Sequence, residues 1–124
     1  MKHIYRIALV LLLVAVLAGC NDEPAPLKLS PETLPDGQVG QPYSVEITVP
    51  DNDWPIAEFY ITEGELPAGL VFTWDQMAED NMKATISGTP EAAGEYTFTV
   101  WVAGMGTNTS GPEGSREYTL VIAP

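Results

Sequence analysis

From Tyr43 onward, apolar residues recur at every second position in separate short runs. Tyr43, Val45, Ile47 and Val49 alternate with Ser44, Glu46 and Thr48. Met82, Ala84 and Ile86 alternate with Lys83 and Thr85; Tyr96, Phe98, Val100 and Val102 with Thr97, Thr99 and Trp101; Tyr118, Leu120 and Ile122 with Thr119 and Val121. Side chains of a strand point alternately to its two faces, so each run specifies a strand with one buried face. No long stretch after the N-terminal apolar run repeats at the helical period. Between the runs stand turn formers: Pro35-Asp36-Gly37, Gly64, Pro67-Ala68-Gly69, Gly88-Thr89-Pro90 and the glycines from Gly104 to Gly114. Strands are expected at Leu27–Leu34, Pro42–Val49, Ile56–Thr62, Leu70–Trp74, Met82–Ser87, Glu95–Ala103 and Arg116–Ile122. Seven short strands in about a hundred residues fit an all-β sandwich. A lone cysteine excludes the antibody-type disulfide.

The N-terminus reads differently. Lys2, His3 and Arg6 precede an apolar run from Ile7 to Gly19. As a helix that run reaches only ~20 Å, short of the ~30 Å hydrocarbon core, so a secretory signal is expected rather than a membrane span. It ends in Leu17-Ala18-Gly19-Cys20, which resembles the lipobox of bacterial lipoproteins. The resemblance implies a signal peptide over 1–19, cleavage before Cys20, and a diacylglyceryl thioether on Cys20, with acylation of its amine. Two or three acyl chains anchor stably where one does not. Residues 20–26 then form the lipidated cysteine and a proline-containing tether, and 27–124 the β-sandwich domain. By the sorting rules of such lipoproteins, Asn21 after the cysteine favours the outer membrane over the inner membrane of the cell envelope.

The chain carries 17 acidic and five basic residues. Without the signal segment, Lys28, Lys83 and Arg116 stand against all 17 acids, a formal charge of −14. Such a domain repels phosphate, so nucleic acid is excluded as a partner, and a polybasic hold on anionic lipid is excluded too.

The motifs of the domain are specific. Leu66-Pro67-Ala68-Gly69-Leu70 is followed by Ile86-Ser87-Gly88-Thr89-Pro90, then by Gly94, Tyr96, Phe98 and Val100, and by Tyr118, Leu120 and Ile122. With Gly40-Gln41-Pro42-Tyr43 upstream, this resembles the Putative Ig domain of bacterial surface proteins, related to cadherin-like Ig folds, and the resemblance implies an Ig-like β-sandwich. The chain departs from that pattern in a longer acidic loop at Asp75–Asn81 and in a Gly- and Ser-rich loop at Gly104–Ser115.

The sole histidine is His3, within the signal segment, so the usual base for Ser or Cys nucleophiles is missing from the domain. No catalytic residue is assigned. Calcium is the one metal considered, on the oxygen donors Asp51, Asp53, Glu79 and Asp80, but no spacing matches a defined calcium loop. No cofactor is therefore expected. Strand parity turns Trp101 and Tyr60 outward on neighbouring strands, making them a candidate patch for a protein or carbohydrate partner. Trp54 and Trp74, near strand ends, are expected to cap the core. Three functions stay open: a membrane-anchored envelope lipoprotein presenting a non-catalytic Ig-like binding or adhesion module; an accessory structural or chaperone-like subunit of a periplasmic or outer-membrane complex; and a hydrolase using carboxylates.

Overall fold

A computed structural model describes residues 23–124. Seven strands form: β1 (Gly37–Gln38), β2 (Tyr43–Thr48), β3 (Ile56–Gly64), β4 (Leu70–Thr73), β5 (Lys83–Gly88), β6 (Gly94–Gly104) and β7 (Glu113–Ala123). One sheet has the order β1-β7-β6-β3 and the other β2-β5-β4. All neighbours are antiparallel except β1 and β7. This is an immunoglobulin-like β-sandwich. Among the described residues no helix is long and apolar enough to cross a membrane.

The alternating runs do what their period requires. Ile47, Ala84, Ile86, Phe98, Val100, Val102, Tyr118, Leu120 and Ile122 are all buried between the sheets. Full burial of a Val, Leu, Ile or Phe contributes ~1.5–3 kcal/mol. The ion pairs of Lys83 with Glu46 and Asp80 are solvent-exposed and add little beside that. Phe59 of β3 reaches across to Phe72 and to Trp74, at ring separations of 5.8 and 6.4 Å. The Trp74 indole N–H donates to the Asn81 carbonyl at 2.8 Å. Trp74 is thus half-buried against the core, as its position suggests. Trp54 is not: it lies in the loop before β3 and is 39 % exposed. Strand parity does not extend into that loop, so nothing turned its ring inward.

The strand expected at Leu27–Leu34 does not form. The segment instead straddles the open side between the sheets. The Leu27 N–H donates to Glu113 of β7, and Ser30 exchanges two backbone hydrogen bonds with Thr48 of β2. The chain then returns to β7, where Gly37 and Gln38 pair in parallel with Ile122 and Ala123. Leu29 and Leu34 plug the core on the way. Two buried phenols clip this crossing. Tyr118 Oη donates to the Pro31 carbonyl and Tyr43 Oη to the Pro35 carbonyl, each at 2.8 Å.

The two glycine-containing motifs meet in space. Leu70 lies opposite Gly88, and the Thr89 N–H donates to the Gly69 carbonyl at 3.1 Å. Gly69 and Gly88 have φ of +92° and +138°. A Cβ on Gly88 would collide with the Gly69 carbonyl oxygen, and one on Gly69 with the Thr89 carbonyl oxygen. Backbone touches backbone here, with no flexible side chain to give way.

Gly88→Ala combines strain at positive φ with a backbone collision, and should cost more than about 2 kcal/mol in urea unfolding. Burial pushes both phenols up to about 12: Tyr43 further raised by Asp36, Tyr118 partly lowered by Arg116. An unfolded tyrosine titrates near about 10. The clips' contribution is therefore fully present below that pH and falls as pH rises through about 12. Melting temperature should drop between these values, and the drop should flatten in the Tyr43→Phe/Tyr118→Phe variant. At neutral pH each single Phe variant should lose about 1–2 kcal/mol by stranding a carbonyl.

Candidate functional site

The face of β7, β6 and β3 turned away from the core is the only large sheet surface bearing two neighbouring aromatic rings among the described residues. Tyr60 on β3 stands opposite Trp101 on β6. Their neighbours on each strand, Phe59, Ile61, Val100 and Val102, point inward, so period two sends these two rings out. The ring centroids are 5.2 Å apart and tilted by 58°. That is a favourable tilted contact, not a flat stack. Tyr60 is 45 % exposed and Trp101 half-buried. On the far side of Trp101 stands Ser115 of β7.

Two bulges decide which residues share this face. The register of β3 shifts between Ile56 and Glu58, and again between Ile61 and Glu63. The first lets Ile56 and Phe59 both point inward although they are three residues apart, while Glu58 points out opposite Ala103. The second brings Glu63 opposite Thr99. A bulge inserts one residue and re-aims those that follow. Alternation of the residues places Tyr60 and Trp101 on one side, but only these offsets make them direct cross-strand partners.

The remaining candidate residues lie at the end of the sandwich where the chain enters from residue 23. Asp51, with φ of 55°, and Asp53 flank Asn52, whose side chain is closed onto Trp54: its Oδ1 accepts from the Trp54 N–H at 2.9 Å and its Nδ2 donates to the Trp54 carbonyl at 2.8 Å. These residues line a cleft of about 320 Å³ with Pro26 and Lys28. Glu79 and Asp80 sit in the β4–β5 loop, where Asp80 lies 3.5 Å from Lys83. Among the described residues no three His, Cys, Asp or Glu side chains converge as a metal group. That loop also lies along the start of β3: Gln76 and Asn81 reach the Ala57 and Ile56 carbonyls with their side-chain amides at 3.4 and 3.5 Å. The acidic insertion thus covers part of an otherwise open sheet edge, a role its composition did not reveal. Cys20 lies outside the described residues.

Three comparisons bear on this arrangement. The sequence profile described as "Putative Ig domain" matches residues 25–123. No curated protein matches the chain. Among solved structures, an endo-fucoidan hydrolase of glycoside hydrolase family 107 is similar, with 28% sequence identity and a TM-score of 0.55. The match covers 81% of this chain but only 17% of that one, so the likeness is to a segment of the hydrolase.

The tilted pair should be a measurable unit. In a double-mutant cycle with Tyr60→Ala and Trp101→Ala, unfolding free energies should show coupling of about 0.5–1.5 kcal/mol. Additive losses would mean that the two rings do not support one another.

Proposed function

The chain belongs to the Putative Ig domain family, and we propose that it is an envelope lipoprotein displaying that domain as a non-catalytic binding module, with the Tyr60–Trp101 face as its contact surface. The observation that carries the reading is the cross-strand aromatic pair on a solvent-facing sheet. A buried core already holds the sandwich together without those rings. Trp and Tyr, here a half-buried Trp beside an exposed Tyr, are among the residues that most often anchor a partner. The similar segment is only 17% of the glycoside hydrolase chain, so the likeness does not carry that enzyme's activity to this domain.

The anchor in this proposal is Cys20. Its support is the sequence: a basic start, an apolar run too short to span, and one cysteine after Leu17-Ala18-Gly19. The chain enters the domain at the end bearing Leu27 and Glu113, and the aromatic face lies along the flank. A module tethered by residues 21–26 keeps that flank open to other molecules.

Cells fed labelled palmitate should incorporate it into the wild-type chain and not into Cys20→Ser, which should also leave the membrane fraction. Affinity capture from solubilised envelopes should recover a partner with the wild-type chain and lose it with Trp101→Ala. An unlabelled wild-type chain would sink the anchor; capture indifferent to Trp101 would sink the contact surface.

A further inference from the structure

Three rows of side chains cross the outer face of β3, β6 and β7. The middle row is Tyr60, Trp101 and Ser115. On one side of it runs Glu58, Ala103 and Glu113; on the other, Glu63, Thr99 and Glu117. Both flanking rows have the same make-up: a glutamate on β3, a small residue on β6, a glutamate on β7. Rows two residues apart along a strand are separated by about 7 Å, and β3 and β7, on either side of β6, by about 10 Å. Four carboxylates therefore frame the aromatic pair at the corners of a rectangle of about 10 by 14 Å. Ala103 and Thr99 are short beside the indole between them, which is half-buried and packs against the Tyr60 ring.

The frame holds no compensating charge. On the four strands of this sheet the only cation is Arg116, and its register position is the inward one, opposite the fully buried Val100. Its Nε is buried. Lys83 belongs to the other sheet and pairs there with Glu46 and Asp80. Like charges gathered on one surface repel each other and favour a partner of opposite sign. The hydrogen-bonding inventory points the same way. Ionised carboxylates only accept. A sugar hydroxyl both donates and accepts, and sugar sites answer it with amides and cations as well as carboxylates. Among its side chains the frame has no amide and no cation, and its donors are only the Trp101 N–H and the hydroxyls of Tyr60, Thr99 and Ser115. Ammonium and guanidinium groups only donate, and they are attracted to the faces of Trp and Tyr rings.

We infer that this face binds a cationic protein segment, with a Lys or Arg side chain stacked on the Trp101–Tyr60 pair and held by Glu58, Glu63, Glu113 and Glu117. The inference rests on the reading of this face as the contact surface, and adds the chemistry of its partner. Guanidinium fits best: it is planar, stacks on aromatic rings and can reach two carboxylates at once.

The test uses the full-length chain in detergent, with a dye-labelled hexa-arginine peptide followed by fluorescence anisotropy. Its neutral citrulline analogue and a neutral oligosaccharide, maltohexaose, serve as competing probes. The peptide should bind and the citrulline form should not. Trp101→Ala should weaken binding about tenfold. Tyr60→Ala should weaken it less, and a melting curve shows that each variant remains folded. The variant Glu58→Gln/Glu63→Gln/Glu113→Gln/Glu117→Gln should lose binding. The control Asp51→Asn/Asp53→Asn/Asp75→Asn/Glu79→Gln removes the same four charges from loops elsewhere and should retain it. Equal loss in the two charge variants would mean diffuse attraction to an acidic domain and would overturn the inference. So would equal binding of the citrulline peptide, or binding unaffected by Trp101→Ala. If maltohexaose binds in a Trp101-dependent way and the peptide does not, the cationic partner is refuted and the contact surface stands. If no probe and no envelope partner depends on Trp101, both fall.

Discussion

The sandwich depends on how residues 27–38 close its open side. β2 and β7 belong to different sheets, and the gap between them would expose the core. The crossing segment touches both strands, places Leu29 and Leu34 in the gap, and ends as β1 on the edge of β7. Proline at 31 and 35 offers carbonyls but no N–H, so these residues cannot donate to a ladder. Their carbonyls are met instead by one phenol from each sheet, Tyr118 and Tyr43. The tie is therefore a hydrogen bond inside an apolar setting, where an unmet carbonyl is costly. Burial is also what raises both phenol pKa values, so the same desolvation that strengthens the clip makes it sensitive to alkali.

Covering β7 with β1 fixes which edge of the sheet remains open. β3 is the far edge, and the loop before β5 shields only its first residues. β3 also carries two bulges and the glutamates Glu58 and Glu63, devices that discourage pairing with another strand. Those same bulges bring Tyr60 opposite Trp101 and set the glutamates in rows beside it. Edge protection and the surface proposed for binding are thus built from the same irregularities. A partner that meets this region does so through side chains on the face, since the edge is a poor template for backbone pairing.

Much of this was legible in the residues. Alternation identified β2, β5, β6 and β7 and the inward set on each, because burial of one strand face leaves a period of two; on β3 parity holds only from Glu58 to Ile61, between the bulges. The glycine motifs around Gly69 and Gly88 announced the family, and the structure supplies the reason: each gives room for the other's backbone. Leu27–Leu34 was misread for a physical reason. Leu27, Leu29 and Leu34 are inward residues, yet they plug a gap without a continuous ladder on either side. β1 is two residues long, and neither Gly37 nor Gln38 is apolar, so it leaves no mark in the apolar pattern. The tyrosine clips were hidden as well, since a phenol's acceptor 87 residues away cannot be read from local sequence.

The candidate site shows the same division. Parity predicted that Tyr60 and Trp101 point outward, and the structure puts them there, 5.2 Å apart. What parity could not supply was the lateral register, which the bulges set, and with it the glutamate rows. In the sequence, Glu58, Glu63, Glu113 and Glu117 are four of 17 acids, indistinguishable from a solvated surface. Folding sorts them. Asp51 and Asp53 line a cleft with Lys28, and Asp80 faces Lys83, so these acids have a cation in their surroundings. The four glutamates around the aromatic pair have none on their sheet face. Composition set only the total charge; the distribution of charge, read row by row, separates one acidic surface of this domain from the others.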